Sequence, residues 1–258
     1  MAQRSVVGLL RQAGLTAAAA RHLPASLRAQ GCQLHEVGPV RRPFAPQAHA
    51  PVVLVHGLAA TIDCWTHLSA RLATAGFDRV FAFSYNGLAS GLPELGGALV
   101  GSVERVMERT GSDTVHLVGH SLGGLVVRMA VEAGGLWTLA TTVVTVATPH
   151  RGSPLAWAAP GPAARVLRSG RPVLPDPVLV PDRPAPRYVN FYCSRDAVLP
   201  RRSARLDLDW VTNVEIEGAG HVGATQADPL LSDLPRALAA AELARLAARP
   251  VREQLLSA

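Results

Sequence analysis

"VHLVGHSLGGLVVRMA", residues 115–130, decides how the rest of the chain is read. Its first half is a short apolar run of the kind found in strands buried on both faces. Its second half resumes as an apolar helix. Between them stands Ser121, inside Gly119-His120-Ser121-Leu122-Gly123. A strand that turns directly into a helix has no room for bulky side chains beside the turn, and the flanking glycines relieve that clash. The turn then lifts the Ser121 hydroxyl above the strand end. The Leu122 N–H opens the helix, where it can face a developing oxyanion with help from the helix dipole. The pentapeptide alone is common. Its place between strand and helix makes Ser121 a candidate nucleophile rather than a small residue at a tight turn.

The same alternation runs outward in both directions. Short β-rich runs occur at 51–57, 79–85, 114–120, 141–149, 187–194 and 212–220, most of them continuously apolar and ending in Gly, Ser or Pro. Helical stretches lie between them: one from a cap at Asp63 to Gly76, one over 94–110 ending at Gly111, one over 121–133, and one over about 233–248. Strands alternating with helices imply an α/β fold, a sheet of about six mostly parallel strands with helices on both faces. Residues 1–48 read as an amino-terminal lead-in and 49–258 as one catalytic-type domain. Residues 153–186 break the alternation as a short insert. Its second half carries six prolines in the fifteen residues 172–186, which favours extended or turn structure over helix. Its first half, "PLAWAAPGPAARVL", is apolar enough to lie over a greasy surface.

A serine at its ordinary pKa is a poor nucleophile and needs a base. Functional groups of open α/β sheets gather at the carboxyl ends of strands, and this thins the nine histidines. His221 directly follows "EIEGAG" at the end of the last strand and is the best base. His56 and His120 also sit at strand ends, but beside motif residues where they shape loops. His116 is mid-strand and reads as a packed, hydrogen-bonded core histidine. His150 reads as a pocket-rim residue that could touch substrate. The carboxylate that would orient His221 should follow an intermediate strand, and Asp196 in "FYCSRDAVLP" does so. Asp176 and Asp182 lie in the insert, and Asp207 and Asp209 precede the last strand. The competing reading of Asp196 is a turn aspartate bonded to its own backbone. A second oxyanion donor is the Leu58 N–H, just after Gly57 at the end of the first strong strand.

Composition excludes more than it assigns. With 48% apolar and 17% charged residues, the chain can fill a core, so global disorder is excluded. The net charge is +6, carried entirely by arginine. The arginines are scattered and aromatics are sparse, which argues against nucleic acid. Cys32, Cys64 and Cys193 cannot all pair and lack metal-ligand spacing. The first apolar run is broken by Arg11 and Gly14, too early for a convincing leader core, so the expected location is cytoplasmic, with secretion left open. That segment fits an amphipathic, membrane-surface helix at least as well, which leaves peripheral membrane contact open.

Taken together, "VLVHGL", "VHLVGHSLGG", "VATPHRGSPLA", "SRDAVLP" and "GAGHVG" resemble the α/β-hydrolase superfamily, specifically bacterial lipase and esterase sequences, over roughly residues 50–247. The resemblance implies hydrolysis of small-molecule or lipid-like esters through an acyl-enzyme. Ser121 would attack, His221 move the proton, Asp196 orient it, and Leu58 and Leu122 hold the oxyanion. Acyltransferase, thioesterase and polyester hydrolase chemistries use the same machinery, and a catalytically silent binding protein could keep the same fold. Dehalogenases and epoxide hydrolases are disfavoured because they place aspartate where Ser121 stands. No cofactor or metal is expected: the calcium-binding aspartate that secreted relatives carry two residues after the histidine is Gly223 here.

Overall fold

Every apolar run read from the sequence becomes a strand whose start lies within one residue of the expected one. The computed structural model describes residues 31–38, 49–169, 172–179 and 184–248. Its strands are β1 (Gln33–Glu36), β2 (Val52–Val55), β3 (Val80–Ser84), β4 (Val115–His120), β5 (Ala140–Val146), β6 (Arg187–Cys193) and β7 (Val211–Ile216). They form one sheet in the order β1-β3-β2-β4-β5-β6-β7. All pairings are parallel except β1 with β3, where Gln33 faces Ser84 and Glu36 faces Phe81. The sheet therefore has seven strands rather than six, and the extra one comes from the stretch read as lead-in. The rest of residues 1–48 lies outside the described residues, apart from 31–38.

Two apolar layers hold the sheet, and alternation along each strand feeds both. Val53 and Val55 of β2, with Phe81 and Phe83 of β3, pack against α2 (Leu92–Thr110) and α3 (Leu122–Glu132). Val52, Leu54, Val80 and Ala82 face the other way, against α1 (Thr66–Thr74) and the carboxyl-terminal helix (Asp228–Ala247). Removing these side chains from water on both faces is what selects continuous apolar strands here. In α2 the buried Leu92, Leu95, Leu99, Val103 and Val106 recur every three or four residues, and Gly111 closes the helix at φ 62°. The expected cap at Asp63 is instead Thr61, whose hydroxyl accepts the Asp63 N–H ahead of a 3₁₀ turn over Ile62–Trp65. The last helix begins at Asp228, five residues before the expected 233, because Pro229 fits the first turn where no N–H is needed.

The insert has helical turns at its start: Pro154–Ala158, a short α4 (Pro162–Val166) and Leu167–Ser169. Its proline-rich part is not helical over 172–179 and 184–186. Ala156, Ala163, Leu167 and Leu174 join the core layer that includes Leu122, with Leu58 packed against it. Sheet order sets the stage for chemistry: β4 lies between β2 and β5, so the turn after β4 is flanked by the loops that follow those two strands.

Candidate active site

Ser121 sits at φ 54°, ψ −122°, between the last residue of β4 and the first of α3. A residue with a Cβ rarely adopts this conformation, and the surroundings enforce it. The Ser121 N–H donates to the Val146 carbonyl at 2.8 Å, tying the turn to the end of β5. A side chain at Gly123 would collide with the Val55 and His56 carbonyls, and one at Gly119 with the Gly123 carbonyl. The helix can start against the end of β2 only because both positions are glycine.

Two loops complete the cluster. After β7, His221 points its Nε2 at Ser121 Oγ, 2.9 Å away, and its Nδ1 at Asp196 Oδ2, 2.8 Å away. A carboxylate only accepts, so Nδ1 carries the proton and Nε2 offers a lone pair to the serine hydroxyl. Asp196 lies in the turn after β6, its side chain 2% exposed against 11% for His221. Its other oxygen, Oδ1, accepts the Val198 and Leu199 N–H groups at 2.8 and 2.9 Å. The turn-aspartate and orienting readings of Asp196 are therefore the same geometry: backbone bonds on one oxygen aim the other.

Gly57 lies against the nucleophile, for a Cβ there would stand 3.0 Å from Ser121 Cβ. The Gly57–Leu58 peptide thus borders the serine on the β2 side, and the Leu122 amide borders it at the helix start. Neither amide is taken by a backbone carbonyl among the described residues. The Leu58 and Leu122 side chains both reach Gly87, in the loop after β3. The five residues singled out in the sequence are thereby brought to one place.

Three other histidines differ from their readings or exceed them. His120 does more than shape its own loop: its Nε2–H donates to the His221 carbonyl at 2.9 Å, anchoring the loop that carries His221. Burial, then the neighbouring His221, pushes the His120 pKa down to about 3. His56 is likewise buried and bonded to Gly57. His150 is no rim residue: it is 2% exposed and held by Arg128, Thr145 and Asn190. His116 is the packed core histidine expected, with Nδ1 near Thr142 and Nε2 on Glu242. Adjacency to a strand-end glycine or serine was the available signal for His56 and His120; Gly57 is the next residue after His56, but the partner of His120 lies 101 residues away.

A family profile described as alpha/beta hydrolase fold matches residues 50–167. Triacylglycerol lipases of Pseudarthrobacter phenanthrenivorans and Burkholderia plantarii are each 37% identical over 114 residues, covering 41% of this chain and 35% and 31% of those proteins. The matched stretch thus spans about a third of either lipase. The mature form of a Bacillus licheniformis lipase superposes with a TM-score of 0.68 at 18% identity, over 80% of this chain and 98% of that one. At that identity the likeness is one of fold. The profile takes in Gly57, Leu58 and Ser121 and stops short of Asp196 and His221, whose assignment rests on geometry.

Proposed function

We propose that this chain, which has an α/β-hydrolase fold, hydrolyses carboxylic esters of apolar acyl groups through an acyl-enzyme on Ser121. One observation carries the reading: the unbroken hydrogen-bonded line from Ser121 Oγ through His221 to Asp196. As Ser121 Oγ attacks the ester carbonyl carbon, its proton passes to His221 Nε2. The imidazolium that forms is stabilised by the Asp196 carboxylate at Nδ1. The carbonyl oxygen becomes an oxyanion, accepted by the Leu58 and Leu122 N–H groups. Collapse expels the alcohol, which takes the proton from Nε2. Water then repeats the sequence on the acyl-serine and releases the acid.

The insert acts as a stiff partial cover in this reading. Its middle is attached to the body by the Val173 N–H on the His150 carbonyl and by Arg128 on the Pro175 carbonyl. A cover fixed at its centre favours short and medium acyl chains over bulky triglycerides.

The test is hydrolysis of p-nitrophenyl esters from acetate to palmitate, with Ser121→Ala as the comparison. Serine-dependent turnover with an optimum at short or medium chains is expected. Equal turnover by folded Ser121→Ala would overturn the nucleophile, and an optimum at palmitate would overturn the cover.

A further inference from the structure

A backbone amide is aimed only as well as the peptide that carries it. The Leu58 N–H shares a trans peptide with the Gly57 carbonyl, so the two groups point in opposite directions. Whatever grips the Gly57 oxygen therefore aims the Leu58 N–H. Two donors grip it: His56 Nδ1 at 2.8 Å and the Ala60 N–H at 3.2 Å. A carbonyl oxygen can only accept, which puts the His56 proton on Nδ1. His56 Nε2 is then a lone pair, and the Tyr85 N–H is directed at it from 3.3 Å. The Tyr85 hydroxyl donates to the His56 carbonyl at 2.7 Å, and the two rings stack with centroids 4.5 Å apart and 4° between planes. Both ring nitrogens are engaged in a side chain that is 1% exposed.

The turn has reason to need this grip. Ala59, immediately after Leu58, is held at φ 58°, an unfavourable conformation for a residue with a Cβ. Relaxing it would turn the Leu58–Ala59 peptide, which meets the Gly57–Leu58 peptide at Leu58 Cα, so the Leu58 N–H keeps its aim only if the Gly57 oxygen is held. We propose that His56 is a positioning residue for the ester hydrolysis: its Nδ1–H, held in register by Tyr85, fixes and polarises the Gly57–Leu58 peptide so that the Leu58 N–H faces the oxyanion formed at Ser121. The assignment rests on the ester-hydrolase reading above and extends the oxyanion site by two residues, His56 and Tyr85.

His56→Asn and His56→Gln separate the two hydrogen bonds. The Asn side-chain amide reaches the place of Nδ1 and keeps a donor for the Gly57 oxygen. The longer Gln side chain reaches the place of Nε2, serving the Tyr85 N–H and leaving the Gly57 oxygen without its side-chain donor. Both remove the imidazole and its stack, so a purely structural role would affect them alike. Because losing an oxyanion donor outright lowers kcat by about 10²–10³-fold, misaiming one in His56→Gln should lower it by roughly 10-fold or more, with KM nearly unchanged. His56→Asn should recover most of that loss. A second readout needs no turnover: the ¹⁵N resonance of Leu58 responds to the bond on the carbonyl of its own peptide. It should shift in His56→Gln and stay near the wild-type position in His56→Asn, while Leu122 stays put in both. Equal loss of kcat in the two variants, or a Leu58 resonance common to both, would overturn the assignment. A wild-type protein that turned over no ester would instead sink the proposed function, and the Leu58 resonance would still decide whether His56 holds the peptide.

Discussion

His221 and His150 both follow the carboxyl end of a parallel strand, yet their surroundings give them opposite properties. His221 Nδ1 meets a carboxylate and its Nε2 a hydroxyl, and the side chain keeps 11% of its surface exposed. His150 Nδ1 meets the Arg128 guanidinium, 3.2 Å away, and its Nε2 faces Asn190 and Thr145. Arginine only donates, so His150 Nδ1 must be an acceptor and the ring is neutral. Burial first, then the Arg128 charge, drives its pKa far below the ordinary histidine value. A strand end supplies reach; burial, and then the charge of the partner, decide whether an imidazole there can take up a proton.

The same contrast separates the two networks. The one around His150 is closed: Arg128 makes a two-pronged pair with Glu132 at 2.7 and 2.9 Å, and Asn190 spends its amide on Ala204 and Asn213. Substitution should split them cleanly. His221→Ala is expected to lower kcat by about 10⁴-fold or more while the folded state loses little. Arg128→Leu should do the reverse. It leaves the largely buried Glu132 carboxylate without its cation, a change that costs about 3–5 kcal/mol, while turnover of short-chain esters, which do not depend on the cover's Arg128 attachment, should stay near wild type in the remaining folded protein. Urea melts beside turnover measurements check both, and a stable, inactive Arg128→Leu would show that the networks are one.

How much of this was legible beforehand follows from how local each signal is. The central parallel strands were readable because burial on both faces leaves an apolar run, as in Val52–Val55, whereas β7, with Thr212 exposed and only its ends buried, was legible from its β-rich composition. β1, "QLHE", has one apolar residue in four and is exposed at both ends, so only its pairing with β3 identifies it. Ser121, Asp196 and His221 could be found because each closes a strand and their order suits the fold. His150 was misplaced because Arg128 lies 22 residues away and Asn190 40 residues away. The grip of Tyr85 on His56 spans 29 residues and had no local trace.

Acid sharpens the comparison from a different side. His56, His116, His120 and His150 are all buried, and burial is the leading cause that lowers each of their pKa values. Below the ordinary value of 6.5, the unfolded chain binds protons at these positions that the fold does not. Unfolding therefore takes up protons, and stability falls as pH drops through 6.5; for His120 the window runs down to about 3. Each imidazole that stays neutral contributes a slope of roughly 1 kcal/mol per pH unit in that window. Urea midpoints at pH 7.5, 6.5 and 5.5 should decline together with activity-independent probes of folding. A flat profile over that range would mean that these rings accept protons in the fold and are not the closed groups their hydrogen bonds describe.

The smallest effect concerns the backbone at Ser121 itself. Its φ of 54° and ψ of −122° suit glycine and strain any residue with a Cβ, by about 1–2 kcal/mol. Ser121→Ala keeps the Cβ and should leave stability within about 0.5 kcal/mol of wild type. Ser121→Gly relieves the strain but adds freedom to the unfolded chain, which offsets about 0.4–1 kcal/mol, so a net gain of up to about 1 kcal/mol is expected. Both variants lose the nucleophile. Thermal melts of the two inactive proteins thus isolate the cost of presenting the hydroxyl. A gain in the glycine variant alone would mean that the turn holds Ser121 against its own preference, as a site that trades stability for function does. Equal melts would mean that the bonds of Ser121 N–H to Val146 and of Gly124 N–H to the Ser121 carbonyl already absorb the strain, leaving the elbow at no disadvantage relative to an ordinary turn.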